Sequence, residues 1–303
     1  MRTEPFRRWP ISIPSKASRM KPTYRLILDC PDRVGIVTCA AEFITRHNGW
    51  ILEASHHSEE ETNWFFSRIV VDANTLPFGL DGFRREFATI AREFKMNWRI
   101  VDKNVPKRVI LLVSKESHCL SDLLDRWRSK DIDCEIPCII SNHEELRGLV
   151  EWYGIPFHHV PVTRENKTEA FEQVVELIEQ NNGDTIVLAR YMQILPKSVC
   201  DRYPNRILNI HHSFLPSFIG ARPYHQASAR GVKLIGATCH YVTANLDEGP
   251  IIDQDVVRVS HSDNIQDLVR LGKDVEKVVL ARGLRDHVED RVMVHGNKTI
   301  VFK

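Results

Sequence analysis

Residues 206–216 read Arg-Ile-Leu-Asn-Ile-His-His-Ser-Phe-Leu-Pro, an apolar run that ends in polar side chains. If residues 206–210 form a buried strand, Asn209 and His211 point to the same side, because side chains two apart on a strand share a face. Their amide and imidazole N–H groups then converge on one small volume. Stabilising a carbonyl oxygen as it becomes an oxyanion requires such an arrangement. The stretch therefore predicts a strand that ends in a reactive site, and we expect Asp247 downstream to complete it.

The sequence on either side of this stretch alternates between helix and strand patterns. Helices are predicted at 120–130, at 143–153, around Phe171 and Ile178, and in a long segment that includes Leu268 and Val279. Apolar runs lie at 108–113, 134–140, 157–160, 184–189, 206–210, 233–242 and 251–259. Such alternation is typical of an α/β fold with a doubly wound, mostly parallel sheet. Gly296-Asn297 predicts a terminal hairpin between 292–294 and 299–302.

Residues 23–103 show a different pattern. Strands are predicted at 24–30, 50–56, 64–71 and 98–101, with helices at 37–44 and 83–94. The order is βαββαβ, a ferredoxin-like arrangement. Pro31-Asp32 offers a turn and an N-cap for the first helix. Residues 102–107 are polar and contain a proline, so we expect a boundary there before a second domain over 107–303.

Composition narrows the class of protein. The chain has 303 residues, a net charge of +1 at pH 7 and 27% charged residues, which argues against binding nucleic acid or a membrane surface through bulk charge. No stretch has the length and apolarity of a membrane span. The seven cysteines are scattered without a C-x-x-C pair. We therefore expect reduced thiols in a reducing compartment, the cytoplasm.

Residues 1–22 are basic, with Glu4 as the one acid. Pro5, Pro10 and Pro14 break any long amphipathic helix, and no apolar core of a secretory signal is present. We expect a disordered extension, or an upstream start codon ahead of Met20. An organelle transit peptide is the alternative.

Each candidate residue also has a purely structural interpretation. An Asn-x-His pair on a strand is commonly a satisfied hydrogen-bond pair, and Asp247 would ordinarily be an exposed loop acid. The C-terminal end of a parallel strand favours catalysis, because open α/β sheets place their sites there. His240 is expected to orient the loop rather than react. No metal site is expected, because the histidine pairs at 56–57, 158–159 and 211–212 are adjacent and neighbouring strand residues face opposite ways.

Residues 28–37, Leu-Asp-Cys-Pro-Asp-Arg-Val-Gly-Ile-Val, resemble the start of an ACT domain. ACT domains are small regulatory modules that bind amino acids or related effectors at domain interfaces and often pair edge to edge. The resemblance implies effector contacts at Asp32, Arg33 and Gly35, and a homo-oligomer. A scaffold without a ligand is the alternative.

Three blocks within residues 107–300 resemble, in the correct order, the formyltetrahydrofolate-dependent formyl-transfer family. They are residues 189–195, 209–216 and 236–252. The resemblance implies that Asn209, His211 and Asp247 are catalytic. It implies folate contacts at Met192, Gln193, Leu195 and His240, with the backbone of Gln193 and Leu195 bonding the pterin. It also implies no cofactor beyond the folate substrate, 10-formyltetrahydrofolate.

Two departures from the family's transferases bear on which molecule accepts the formyl group. Residues 113–120 lack the Gly-rich loop that cradles a phosphate in glycinamide ribonucleotide transferases, and Glu116 would repel a phosphate. His212 stands where the transferases usually have proline. Together with the ACT-like domain, these features resemble the hydrolase branch of the family, in which water replaces the amine as the acceptor of the formyl group. The implied reaction releases formate and tetrahydrofolate, balances the one-carbon pool and supplies formate for purine synthesis.

Two alternatives stay open. A formyltransferase acting on a small amine, such as a sugar nucleotide, would keep the same three residues and add an acceptor pocket. A folate- or amino-acid-sensing regulator would bind without turnover. The partners expected are the folate substrate, an amino-acid effector and further copies of the chain, with neither nucleic acid nor membrane among them.

Overall fold

The computed structural model describes residues 22–216 and 223–303. The expectation of a disordered extension over residues 1–22 lies, apart from its last residue, outside the described residues.

A four-stranded antiparallel sheet forms the N-terminal part, in the spatial order β2-β3-β1-β4. Its elements are β1 (Thr23–Pro31), α1 (Ile36–Arg46), β2 (Trp50–Glu59), β3 (Trp64–Asp72), α2 (Leu80–Glu93) and β4 (Asn97–Asp102). Alternate residues of β1, Leu26 and Leu28, pack with Phe43 of α1 and with Phe83 and Phe87 of α2. Both helices therefore cover one face of the sheet, and the βαββαβ order matches the prediction.

The start of α1 differs from the prediction. Asp32 does not cap the helix, because its carboxylate accepts a hydrogen bond from the Ser58 hydroxyl and its backbone N–H bonds to Asn63. The helix begins only after Gly35, which has φ 99°. This left-handed conformation is open to glycine at little cost, so Gly35 and not Asp32 turns the chain into the helix.

A seven-stranded sheet occupies the rest of the chain, in the spatial order β11-β10-β9-β8-β5-β6-β7. Its strands are β5 (Val109–Val113), β6 (Ile139–Ser141), β7 (Phe157–His159), β8 (Thr185–Ala189), β9 (Ile207–His211), β10 (Leu234–Tyr241) and β11 (Ile251–Arg258). The pairs among β5 to β9 are parallel, whereas β10 runs antiparallel to both β9 and β11. The expectation of a mostly parallel sheet is confirmed.

Helices cover both faces of this sheet. They are α3 (His118–Arg128), α4 (Arg147–Trp152), α5 (Lys167–Gln180), α6 (Lys197–Arg202), α7 (Pro223–Arg230) and α8 (Ile265–Val288). Val109, Leu111 and Val113 of β5 pack against α3, α4 and α8, while the alternate residues Ile110 and Leu112 pack against α5 and α6. Because β5 is buried on both faces, it reads in the sequence as a continuous apolar run. The sheet is therefore doubly wound.

Three details of this part depart from the prediction. The run at 134–140 becomes a strand only from Ile139, because Pro137 interrupts the hydrogen-bond ladder between strands. Before it, Glu135 forms a single isolated bridge to Arg108. The sequence pattern did not predict α6 and α7, which have only six and eight residues.

The C-terminal hairpin, β12 (Val292–His295) and β13 (Lys298–Val301), lies against the N-terminal sheet. Met293 and Phe302 pack with Ile27 and Phe66, on the sheet face opposite to α1 and α2. Just before the hairpin, the buried carboxylate of Asp290 contacts three cations. They are Lys107 at 2.6 Å, Arg25 at 3.2 Å and Arg99 at 3.3 Å. The chain's last segment thus joins the two sheets.

All seven cysteines are free thiols, and six of them are buried. Burial raises the pKa of Cys134 to about 12 and that of Cys138 to about 11, as expected of unreactive core thiols. Within the described ranges, none of the helices has the length and apolarity needed to cross a bilayer.

Candidate active site

Two neighbouring strands bring the predicted polar residues together. Asn209 and His211 lie at the C-terminal end of β9, and Asn209 pairs directly opposite His240 of β10. His211 is 4% exposed and His240 is 1% exposed. Polar side chains this deeply buried need specific partners, because each unsatisfied group costs about 1–3 kcal/mol. Their partners therefore define the geometry of the site.

The loop after β10 carries Asp247 into the same volume. Asp247 has φ 57°, a left-handed backbone that is uncommon outside glycine. The loop returns close to its own start, where Tyr241 N–H bonds to the Pro250 carbonyl at 2.9 Å. At Gly249 a Cβ atom would stand 1.8 Å from the Tyr241 carbonyl oxygen. Glycine is thus required at position 249, so that the loop can return to β10 and point Asp247 into the site.

His240 fixes the orientation of Asn209. Its Nδ1 lies 2.9 Å from the Tyr241 carbonyl oxygen and must donate to it, which leaves Nε2 as an acceptor in the neutral ring. Burial lowers the pKa of His240, so the neutral form is favoured. Asn209 Nδ2 then donates to His240 Nε2 at 3.1 Å. The second hydrogen of the Asn209 amide is left for another acceptor.

His211 pairs with Asp247 through one nitrogen only. Its Nδ1 lies 3.3 Å from Asp247 Oδ2, while its buried Nε2 has no hydrogen-bond partner among the described residues. Burial alone would raise the pKa of Asp247. The hydrogen bond and charge of His211 nevertheless hold that pKa below its usual range. The site thus pairs an ionised carboxylate with an imidazole whose far nitrogen is open to a ligand.

A cavity of about 410 Å³ opens onto these groups. Three segments line it, residues 190–195, 209–212 and 242–247, together with His240. The predicted folate contacts Met192, Gln193, Leu195 and His240 are therefore all at its wall. Ser114, which follows β5, accepts a hydrogen bond from Met192 N–H at 3.1 Å and donates to Asn142 Oδ1 at 2.6 Å. Ser114 thus anchors the first of these segments, a role that sequence reasoning missed.

His212 also lines this cavity, which corrects the expectation that His211 and His212 face opposite ways. Their ring centroids are 5.2 Å apart. Strand alternation does not apply, because β9 ends at His211 and His212 begins the loop. Burial, with the positive charges of Arg190 and His211, lowers the pKa of His212 to about 4.

A buried ionic cluster beside the cavity was not predicted. Glu276 of α8 is 1% exposed and accepts from Tyr224 OH at 2.6 Å. Its other oxygen lies 2.8 Å from His118 Nε2 and 3.4 Å from Arg190 Nε. One sequence signal was available, because Glu276 interrupts the apolar stripe of a long helix three residues before Val279. A charge in such a position needs a buried partner.

Glu116 behaves differently from the sequence expectation. Its carboxylate lies 2.5 Å from Lys273 Nζ, and this hydrogen bond lowers its pKa. The charge that was expected to repel a phosphate is therefore largely neutralised. The case against a phosphate-bearing acceptor then rests on the missing Gly-rich loop.

One group of potential metal ligands occurs among the described residues, formed by His118, Cys119 and Glu276. The Arg190 guanidinium already faces the Glu276 oxygen that contacts His118, and burial raises the pKa of Cys119 well above its usual value. A neutral thiol and a nearby cation both oppose binding of a metal ion. The group fits an internal ion pair better than a metal site.

The three predicted effector residues lie in the loop between β1 and α1 and do not line the cavity. Arg33 stacks on the Phe94 ring at 3.9 Å and donates to the Glu93 carbonyl at 2.9 Å. Asp32 is bonded to Ser58, and Gly35 starts α1. All three therefore make internal contacts.

Comparison with known proteins gives a consistent result. Residues 107–284 match the formyl transferase family. The chain is 48% identical over 279 residues to the formyltetrahydrofolate deformylase of Bacillus subtilis, covering 92% of this chain and 93% of the relative. It is 46% identical over 280 residues to that of Synechocystis, covering 92% and 98%.

A crystal structure of a formyltetrahydrofolate deformylase from Pseudomonas syringae superposes with a TM-score of 0.93 at 61% identity. The match covers 95% of this chain and 96% of that one. Both the sequence and the fold are therefore shared over nearly the whole length, including the N-terminal sheet. The chain belongs to the formyltetrahydrofolate deformylase family.

Proposed function

We propose that this protein hydrolyses 10-formyltetrahydrofolate to formate and tetrahydrofolate. The observation that carries the proposal is the open Nε2 atom of His211, buried in the cavity wall while Asp247 holds Nδ1. A buried polar atom without a partner is costly, and a bound substrate would supply the missing partner. The names of the relatives agree with this reaction.

The proposed mechanism stabilises the oxyanion from two sides. Asn209 donates its free amide hydrogen to the formyl oxygen, and His211 donates from Nε2. Because Nδ1 already donates to Asp247, Nε2 can donate only from the imidazolium form of the ring. Each such donor contributes about 3 kcal/mol to transition-state stabilisation, or roughly a hundredfold or more in rate.

The proposed role of Asp247 is to position His211 and the attacking water and to relay a proton to N10. Its lowered pKa keeps it ionised at neutral pH, as a proton relay requires. The folate ring system would lie along residues 190–195, with backbone bonds to Gln193 and Leu195. The proposed chemistry uses no group beyond the side chains and the folate itself.

The test is release of formate from 10-formyltetrahydrofolate without any amine present. Wild type should release formate and tetrahydrofolate in equal amounts, and Asn209→Ala and Asp247→Ala should lose at least about a hundredfold in kcat. Asn97→Ala, at an exposed asparagine of β4 that does not line the cavity, is the matched control. Turnover that requires an added amine would instead favour a transferase. Folate binding without turnover would favour a sensor.

We also propose that residues 23–103 are an ACT-like regulatory domain and that residues 107–303 are the catalytic domain. In this proposal Asp32, Arg33 and Gly35 bind an amino-acid effector, copies of the chain associate through the N-terminal sheets, and the protein works in the cytoplasm. Supporting features are the βαββαβ order and the edge strand β2, which exposes Trp50 and Leu52. Formate release measured with each amino acid in turn, beside light scattering of the purified protein, tests these points.

A further inference from the structure

His212 is a partly buried imidazole in the cavity wall, and the proposed mechanism assigns it no role. Its ring centroid lies 5.2 Å from that of His211 and 6.3 Å from that of Tyr224. A carbonyl oxygen bound at His211 Nε2 would place its carbon about 4 Å from that nitrogen, from usual bond and hydrogen-bond lengths. The His212 ring is thus near enough to reach a water that attacks this carbon.

The wall behind His212 is fixed by a network of buried bonds. Tyr224 donates to Glu276, which in turn contacts His118 and Arg190. Tyr224 fits closely, because a Cβ atom at Gly272 would lie 1.9 Å from its hydroxyl oxygen. The Tyr224 ring that faces His212 therefore has little freedom.

His212 is a proton acceptor at neutral pH. Burial, Arg190 and His211 lower its pKa to about 4, against the opposing charges of Glu276 and Asp247. A neutral imidazole has one nitrogen with a free lone pair. His212 therefore presents an acceptor to the cavity.

Arg190 supplies a donor on the same wall. It lines the cavity, and its buried Nη1 has no hydrogen-bond partner in the described part of the chain. Its backbone is left-handed at φ 63°, a strained conformation of the kind that clusters at functional sites. A bound water needs two or more polar partners, and Arg190 and His212 together offer one donor and one acceptor.

We propose that Arg190 and His212 hold the hydrolytic water and that His212 accepts its proton during attack. This inference rests on the proposed hydrolysis of the formyl group and assigns the water's place within the same site.

A lone pair of the water oxygen forms the C–O bond, the carbonyl π pair moves to the oxyanion held by Asn209 and His211, and one water proton moves to His212. When the carbonyl re-forms, the C–N10 bond breaks and its electron pair stays on N10. The proton on His212 passes through a cavity water and Asp247 to N10. The remaining water proton leaves as formic acid ionises to formate.

The test compares His212→Ala with His225→Ala in the full-length protein. His225 is exposed on α7, next to Tyr224, so the control makes the same chemical change outside the cavity. For His212→Ala we expect kcat for formate release to fall about a hundredfold, the usual contribution of a general base, with the dissociation constant for tetrahydrofolate changed less than threefold. Added imidazole should restore part of the lost rate. His225→Ala should match wild type.

Three results would overturn the inference. One is a kcat of His212→Ala within fivefold of wild type, and another is a loss of tetrahydrofolate binding in parallel with kcat. The third is full activity in His212→Gln, because glutamine can hold a water but cannot take its proton. An inactive Asp247→Ala beside a fully active His212→Ala would reject this inference alone. A wild type that releases no formate would reject the proposed function itself.

Discussion

The two nitrogens of His240 have opposite roles, and this difference sets the direction of the Asn209 amide. Nδ1 is committed to the Tyr241 carbonyl, so only an acceptor remains at Nε2. The Asn209 group that faces it must be the NH₂. A free hydrogen, rather than an oxygen, is thereby presented toward the cavity, as binding a carbonyl oxygen requires.

Replacing His240 should release Asn209 from this orientation. We expect His240→Leu to lower kcat about tenfold, which corresponds to roughly one hydrogen bond, with tetrahydrofolate affinity nearly unchanged. His240→Asn, whose side-chain oxygen can accept, should keep more activity than the leucine variant. Steady-state formate release checks both, and equal rates for the two variants would contradict the orienting role.

The lowered pKa values of Asp247 and His212 predict the acid limit of activity. Because the pKa of Asp247 lies below the usual value of about 4, its carboxylate stays ionised as the pH falls from 7. Formate release should therefore hold until the pH falls to about 4, where His212 takes up a proton, and Asp247→Asn should be inactive throughout. Rates measured from pH 3.5 to 8, with circular dichroism at each pH to monitor folding, check this. A midpoint above pH 5 would contradict it.

Sequence reasoning identified the residues that strand geometry places, and it missed those that tertiary packing places. Asn209 and His211 share a face by strand alternation, so their convergence was predictable. His212 was misjudged because the strand ends one residue earlier. Glu276 lies 158 positions from His118. A local pattern could indicate that it needs a partner, but not which one.

At the scale of elements, the loop between β10 and β11 is the most demanding part of the site. Gly249→Ala would place a methyl group against the Tyr241 carbonyl, which belongs to the backbone and cannot swing away. The loop must shift, so we expect Asp247 to move and kcat to fall more than tenfold, since misplacement by about 1 Å can cost a hundredfold. Gly148→Ala in α4, where a Cβ meets nothing within 4 Å, is the control and should leave kcat unchanged. Unchanged kcat in Gly249→Ala would contradict the argument.

The elements themselves were largely predictable. Strands buried on both faces appear as apolar runs, and the long helices show their stripes. The short helices α6 and α7 were missed because their sequences contain too few large apolar residues to show a clear periodicity. The antiparallel direction of β10 depends on how the chain returns across the sheet, which the local pattern does not record.

At the scale of the whole molecule, Asp290 ties the two sheets together. It faces Arg25 and Arg99 of the N-terminal sheet and Lys107 of the connection. Asp290→Asn should lower the free energy of unfolding by about 3 kcal/mol, because buried Arg25 would lose its carboxylate. Asp274→Asn, at an exposed ion pair on α8, is the control and should change it little. Urea unfolding measures both, and equal effects would contradict the prediction.

This contribution should also depend on pH. Burial would raise the pKa of Asp290, but Lys107, Arg99 and Arg25 lower it below its usual value. A carboxyl with a lowered folded-state pKa stabilises fully above its unfolded pKa of about 4, and the stabilisation is lost as the pH falls through the folded value. The stability gap between wild type and Asp290→Asn should therefore narrow below pH 4. A gap that stays constant to pH 2.5 would be inconsistent with this account.

The packing of the C-terminal hairpin on the N-terminal sheet has a consequence for biosynthesis. Strands β1 to β4 leave the ribosome first, with α1 and α2 available to cover one face. The other face, with Ile27 and Phe66, is covered by Met293 and Phe302. The hairpin follows every strand of both sheets along the chain, so Met293 and Phe302 are made after all of them. The first sheet must therefore keep the apolar side chains of Ile27 and Phe66 uncovered until the hairpin has been made. A ribosome-bound chain stalled before Met293 should bind chaperones or apolar dyes at this sheet. The bound chaperone or dye should be released once Met293 and Phe302 have been made and pack on the sheet.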